Sequence, residues 1–137
     1  MKSTLFKIQE FVPEHIYLKR GEKAWELIDD RLILTAETLK GLFPQGTMTI
    51  NNWLWAGNRT ESGLRTPESK YYSETSQHSF GRAIDCIFSE YSAQEVRTYI
   101  IDNPGLFPYI TGIEDYNGMG WVHIDVRNSD LVRIFKK

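Results

Sequence analysis

At 137 residues, with a formal net charge of -2 and a pI near 5.9, the chain has neither the basic field that draws nucleic acid nor a block of like charges that would form a polyanion-binding tail. Its length suits a single domain, residues 1–137, able to bury roughly two-thirds of its unfolded surface without staples. The lone cysteine, Cys86, excludes an internal disulfide and a Cys-x-x-Cys zinc knuckle, and reads as a small buried apolar residue.

Residues 1–10 lack an apolar core of signal-peptide length, and no stretch approaches the ~20 apolar residues of a membrane span. The expectation is a protein made soluble in the cytoplasm with no membrane partner, reaching any cell-wall substrate through a separate export or lysis system. Ala24, Trp25 and Ile28 share one side of a short helix expected around residues 22–29. Leu32, Ala36, Leu39 and Phe43 recur at helical steps and predict a second helix that ends before Pro44, Gln45 and Gly46. Residues 47–51 alternate polar and apolar with β-favouring side chains, as a half-buried strand does. Residues 52–77 are turn-rich, and a loop of that length inside a domain is either functional or disordered; Trp53 and Trp55 argue for order. Ser92 and Glu95 make an S-x-x-E capping box that opens a helix carrying Val96, Tyr99 and Ile100, closed by Asn103 and Pro104. Residues 109–116 and 121–127 read as strands joined by an N-G-containing hairpin. The predicted fold is α+β, a mostly antiparallel sheet with helices packed on one side.

Two segments carry candidate chemistry. S-Q-H-S-F-G-R-A-I-D over residues 76–85 and W-V-H-I-D over residues 121–125 supply His78, Asp85 and His123. Such a set is a sufficient N/O shell for a catalytic zinc, which keeps its fourth position for water. The residues converge if the chain turns at Gly81 and enters a strand over 83–85, while His123 arrives from another strand. His15 lies outside any motif and reads as an exposed residue without a role.

The S-x-H-x-x-G-x-A-x-D segment followed by W-x-H-x-D resembles the zinc peptidases of the D-alanyl-D-alanine carboxypeptidase and hedgehog-type fold. That group includes vancomycin-resistance dipeptidases, murein endopeptidases and phage endolysins. Ser62, Gly63, Leu64 and Arg65 are similar to its S-G-x-R segment, so the resemblance spans residues 51–127; residues 1–50 match no motif and read as the helical N-terminal part of the same domain. The resemblance implies Zn2+ held by His78, Asp85 and His123. It implies hydrolysis of an amide bond in the peptide part of peptidoglycan, at a D-amino acid, with a stem peptide or another D-amino-acid peptide as partner. In the relatives the corresponding arginine contacts the scissile carbonyl or a substrate carboxylate, which nominates Arg65; its planar fork of donors suits both tasks. Ser76 is expected to hydrogen-bond near the substrate.

Peptide hydrolysis also needs a carboxylate that takes a proton from water and returns it to the leaving amine. Many relatives carry it three residues before the last histidine, where this chain has Gly120. Strand alternation puts Asp125 on the face of His123, about 6.6 to 7 Å along the strand. If residues 117–120 form the hairpin loop, Glu114 falls opposite His123 with Cβ atoms ~5 Å apart, whereas a one-residue slip would bring in Asp115. Glu114 is the favoured base. Asp125 is the alternative base, an acceptor that fixes the His123 ring, or an ion-pair partner of Arg127. The competing function is a zinc-stabilised structural or binding domain of the same fold that has lost its base.

Overall fold

Residues 1–136 are described in the computed structural model, and the N-terminal part is helical. Helix α1 (Glu14–Arg20) follows Pro13 and ends at Gly21, whose φ of +58° suits glycine. None of its residues is fully buried, so no apolar stripe announces it in the sequence. Residues 21–27 form 3-10 turns in place of the helix expected over 22–29, with Ala24, Trp25 and Ile28 buried as their spacing requires. Asp29 caps α2 (Asp30–Leu42) by accepting from the Arg31 N–H at 2.9 Å, and Leu32, Ala36 and Leu39 are at most 1% exposed. Ser92 and Glu95 close the capping box at 3.0 and 3.1 Å ahead of α3 (Ala93–Asp102). Among the described residues no helix is long and apolar enough to cross a membrane.

Strands β1 (Met48–Thr49), β2 (Ala83–Phe88), β3 (Gly112–Glu114), β4 (Val122–Asp125) and β5 (Arg133–Phe135) form one sheet in the order β1-β2-β4-β3-β5. The β1–β2, β2–β4 and β3–β4 pairings are antiparallel, as expected, but β3–β5 is parallel, so the α+β fold carries a mixed sheet. Strand β5 exposes Arg133 and Ile134 and has no buried face of its own, which is why no alternation marks it in the sequence.

Side chains alternate between the two faces of the sheet. Ile84, Cys86, Ile113, Val122 and Ile124 share one face and join Leu32, Leu39, Val96 and Ile100 in the hydrophobic core. Burial pushes the Cys86 thiol pKa up, as befits an unreactive packing residue. Asp85, Gly112, Glu114, His123 and Asp125 fall on the other face by register. The core face thus holds the sheet to the helices and leaves the opposite face to the polar side chains.

Residues 52–77 are pinned by hydrogen bonds to the N-terminal part. Trp53 Nε1 and Asn51 Nδ2 donate to the Val12 carbonyl at 2.9 and 3.2 Å, and the Leu64 N–H donates to the Phe11 carbonyl at 2.8 Å. The Ser62 N–H donates to Asn51 Oδ1 at 2.8 Å, and the Ser62 carbonyl accepts from the Asp85 N–H at 2.7 Å. Trp53 therefore anchors the loop, whereas Trp55 is 58% exposed. On the far side, buried Arg97 donates to the carbonyls of Trp121 (2.7 Å) and Met119 (3.1 Å), bracing the turn that leads into β4.

Candidate metal centre

The register sets Asp85 of β2 beside His123 of β4, and Glu114 of β3 on the other side of His123, in one row across the sheet. His78 arrives from the 3-10 turn Gln77–Phe80, capped by Ser76 Oγ, which accepts from the His78 N–H at 3.3 Å. Gly81 ends that turn with φ +67°, and a Cβ there would collide with the Leu27 carbonyl oxygen. Only glycine lets the turn lie against the N-terminal part.

His123 Nδ1 is 2.9 Å from Asp85 Oδ1, and His78 Nε2 is 3.4 Å from the same oxygen. Donor atoms of His78, Asp85 and His123 lie within 4.8 Å of one another, so this group can hold a metal ion. The nitrogens turned away from the cluster are both engaged: His78 Nδ1 with the Gly63 carbonyl at 2.8 Å, His123 Nε2 with Asp125 Oδ2 at 3.0 Å. An imidazole that donates one N–H to such an acceptor presents its other nitrogen as a lone-pair donor, which is how ligating histidines are oriented. Two imidazoles and a carboxylate are a donor set that suits a divalent ion of borderline softness.

Electrostatics point the same way. Burial would lower the His123 pKa, but hydrogen bonds to Asp125 and Asp85 and the nearby charges of Asp85 and Glu114 outweigh it and raise the value to about 9. Burial would likewise raise the Asp85 pKa, yet hydrogen bonds from His123 and His78 hold it well below the usual carboxylate range. Asp125 is held down to about 2, its desolvation outweighed by hydrogen bonds from Arg127 and His123. The carboxylates thus surround a point that favours positive charge, taken by a proton when no metal is bound.

Comparison with protein-family models, curated proteins and solved structures finds no match to this chain.

Glu114 Oε1 lies 3.8 Å from His123 Nδ1, and Glu114 Oε2 accepts from the Tyr116 hydroxyl at 3.4 Å. Asp125 is fully buried: besides its bond from His123 it takes both Nε (2.7 Å) and Nη2 (2.6 Å) of Arg127. It is thus ring-fixing acceptor and ion-pair partner at once. Arg65 donates from Nη2 to Asp85 Oδ2 at 3.0 Å and from Nε to the Glu61 carbonyl at 2.9 Å, so it touches the carboxylate of a candidate ligand directly. Arg65 and Asp85 line a cleft of about 320 Å³ walled by Tyr71 and Trp121, so the group borders the cleft through Asp85, while His78 and His123 are buried behind it. Ser76 serves the turn as its cap. His15 is exposed on α1, with Nε2 at 3.1 Å from Thr66 Oγ1, away from the cluster.

Two glycines take roles that the motif reading does not give them. Gly63 supplies the carbonyl that sets the His78 ring, and a Cβ on it would collide with the Phe11 carbonyl oxygen. Gly112 faces Asp125 across the β3–β4 ladder, where a Cβ would overlap the Asp125 carboxylate. Arg127 neutralises that carboxylate. A backbone carbonyl leaves no mark in a sequence, but a glycine inside a strand is a detectable sign of close approach.

Proposed function

We propose that the protein is a zinc-dependent peptidase that hydrolyses an amide bond in the peptide part of peptidoglycan, at a D-amino acid. The observation that carries the reading is a set of converging donor atoms beside an open cleft. His78 Nε2, Asp85 Oδ1 and His123 Nδ1 converge, and the far atoms are held by Gly63, Arg65 and Asp125. A structural zinc is closed by its full set of protein ligands, whereas three protein ligands, one of them lining a cleft, are the number that leaves a position for water in catalysis. The resemblance of the two motifs to the cell-wall zinc peptidases supplies the substrate class.

Zinc held by these three residues would supply the Lewis acidity that makes water a nucleophile near neutral pH. Glu114 carries the proton: Oε1, facing His123, takes it from the attacking water and returns it to the leaving amine, while the Tyr116 hydroxyl holds Oε2. Asp125 has no oxygen left for that task and acts by orienting His123. Arg65 is fixed by two of its donors and keeps the rest for a substrate carbonyl or carboxylate in the cleft. Tyr71 and Trp121 shape the walls that receive the peptide.

The purified protein should carry about one zinc per chain. It should also release fragments from isolated sacculi or synthetic stem peptides, identified by mass spectrometry. A zinc-loaded protein that cuts neither substrate refutes the peptidase reading and leaves a zinc-stabilised binding domain.

A further inference from the structure

Beyond the ligands, a contact chain runs from His123 to the C-terminal strand. His123 Nε2 is held by Asp125 Oδ2 at 3.0 Å, and Asp125 is held by the two-pronged grip of Arg127 at 2.7 and 2.6 Å. The Arg127 guanidinium is in turn covered by the ring of Phe135, with Cζ 4.5 Å from the ring centroid. Phe135 is placed by the parallel ladder that sets β5 beside β3, and its carbonyl accepts from the Asp115 N–H at 2.7 Å. The Thr111 hydroxyl fixes the backbone of Arg127 by donating to its carbonyl at 2.6 Å.

We infer that β5 is a positioning element for the bound metal, with Phe135 acting through Arg127 and Asp125 on the His123 ring. The physical reason lies in the contrast of burial along the chain. Asp125 has no solvent exposure, so its alignment depends wholly on its two partners, while the Arg127 side chain is 24% exposed and can exchange carboxylate for water. A flat ring over a guanidinium restricts that exchange, because the cation is attracted to the face of the ring and is shielded there from solvent. Loosening Arg127 frees Asp125, and a free Asp125 lets the His123 ring tilt away from the point where Asp85 and His78 converge. Zinc affinity is then set partly by a residue on the edge of the sheet that touches none of the ligands. This inference rests on the metal-site reading and not on peptidase activity.

The test measures the zinc dissociation constant of the full-length protein by competition with a chelator, with no substrate present. Phe135→Leu keeps bulk but loses the aromatic face, and should weaken zinc by about 3- to 10-fold, while Phe135→Trp should bind as tightly as the wild type. Arg127→Lys, which cannot reproduce the planar fork, should weaken zinc by about 10-fold or more. In an Asp125→Asn background, Phe135→Leu should have no further effect, because the link it acts through is already broken. Unchanged affinity in Phe135→Leu overturns the inference, even if its melting temperature falls, since that result makes the ring a packing residue only. An equal loss with and without Asp125 also overturns it. A wild-type protein that takes up no zinc removes the metal site itself and the inference with it, a result seen before any variant is made.

Discussion

Raising the pH of the metal-free protein should cost it stability through a single residue, His123. Its ring lies 2.9 Å from Asp85, 3.0 Å from Asp125 and 3.8 Å from Glu114, and these acceptors lift its pKa from 6.5 to about 9 against the effect of burial. A group whose folded pKa is raised gives its full stabilisation below the unfolded value and loses it as the pH climbs through the folded one. The window here therefore runs from 6.5 to about 9. The side chain is only 8% exposed, so solvent screens the effect little. The interval corresponds to ~3 kcal/mol, or on the order of 10 °C in melting temperature for a domain of this size. At the acid end the sign reverses: Asp125, held down to about 2, loses its contribution as the pH falls from the ordinary carboxylate range through that value. Zinc held there would compete with the proton for Nδ1, so its affinity should rise with pH across the same alkaline window, with release of a proton. Thermal melts of the chelated protein at stepped pH, with His123→Gln as a control that flattens the slope, read the effect. A melting temperature that stays level or rises between pH 6.5 and about 9 would refute the reasoning.

Glu114→Gln should keep zinc and fold but abolish cleavage of stem peptides, because an amide cannot carry the proton; full turnover in that variant removes Glu114 as the base. Arg65→Ala should lower turnover by on the order of 10²–10³ while zinc affinity moves far less, and Arg65→Lys should restore it only in part. Equal losses of zinc and turnover would instead make Arg65 an orienter of Asp85, which it touches at 3.0 Å. Gly112→Ala drives a methyl group into the Asp125 carboxylate and should cost about 1–3 kcal/mol in a denaturant melt, together with weaker zinc binding. Wild-type stability there would mean that β3 can move away from Asp125.

Helices α2 and α3 are legible in the sequence because each writes its own evidence locally, a buried stripe for one and a capping box for the other. The candidate ligands are legible for a related reason, since turn and strand geometry are encoded within a few residues of His78, Asp85 and His123. The Glu114–His123 register is legible too, because a short hairpin couples loop length to pairing. Helix α1 and strand β5 are not, as neither buries a face that periodicity could reveal. The double role of Asp125 and the turn of Arg65 toward Asp85 are likewise decided in three dimensions. So is the hold of Gly63 on His78, which depends on Phe11, Val12 and Asn51 pinning a loop far along the chain. Sequence periodicity reports which face of an element is apolar, whereas the partner of a buried carboxylate or imidazole is whatever donor or acceptor packing brings within hydrogen-bond reach, and that is settled only when distant segments meet.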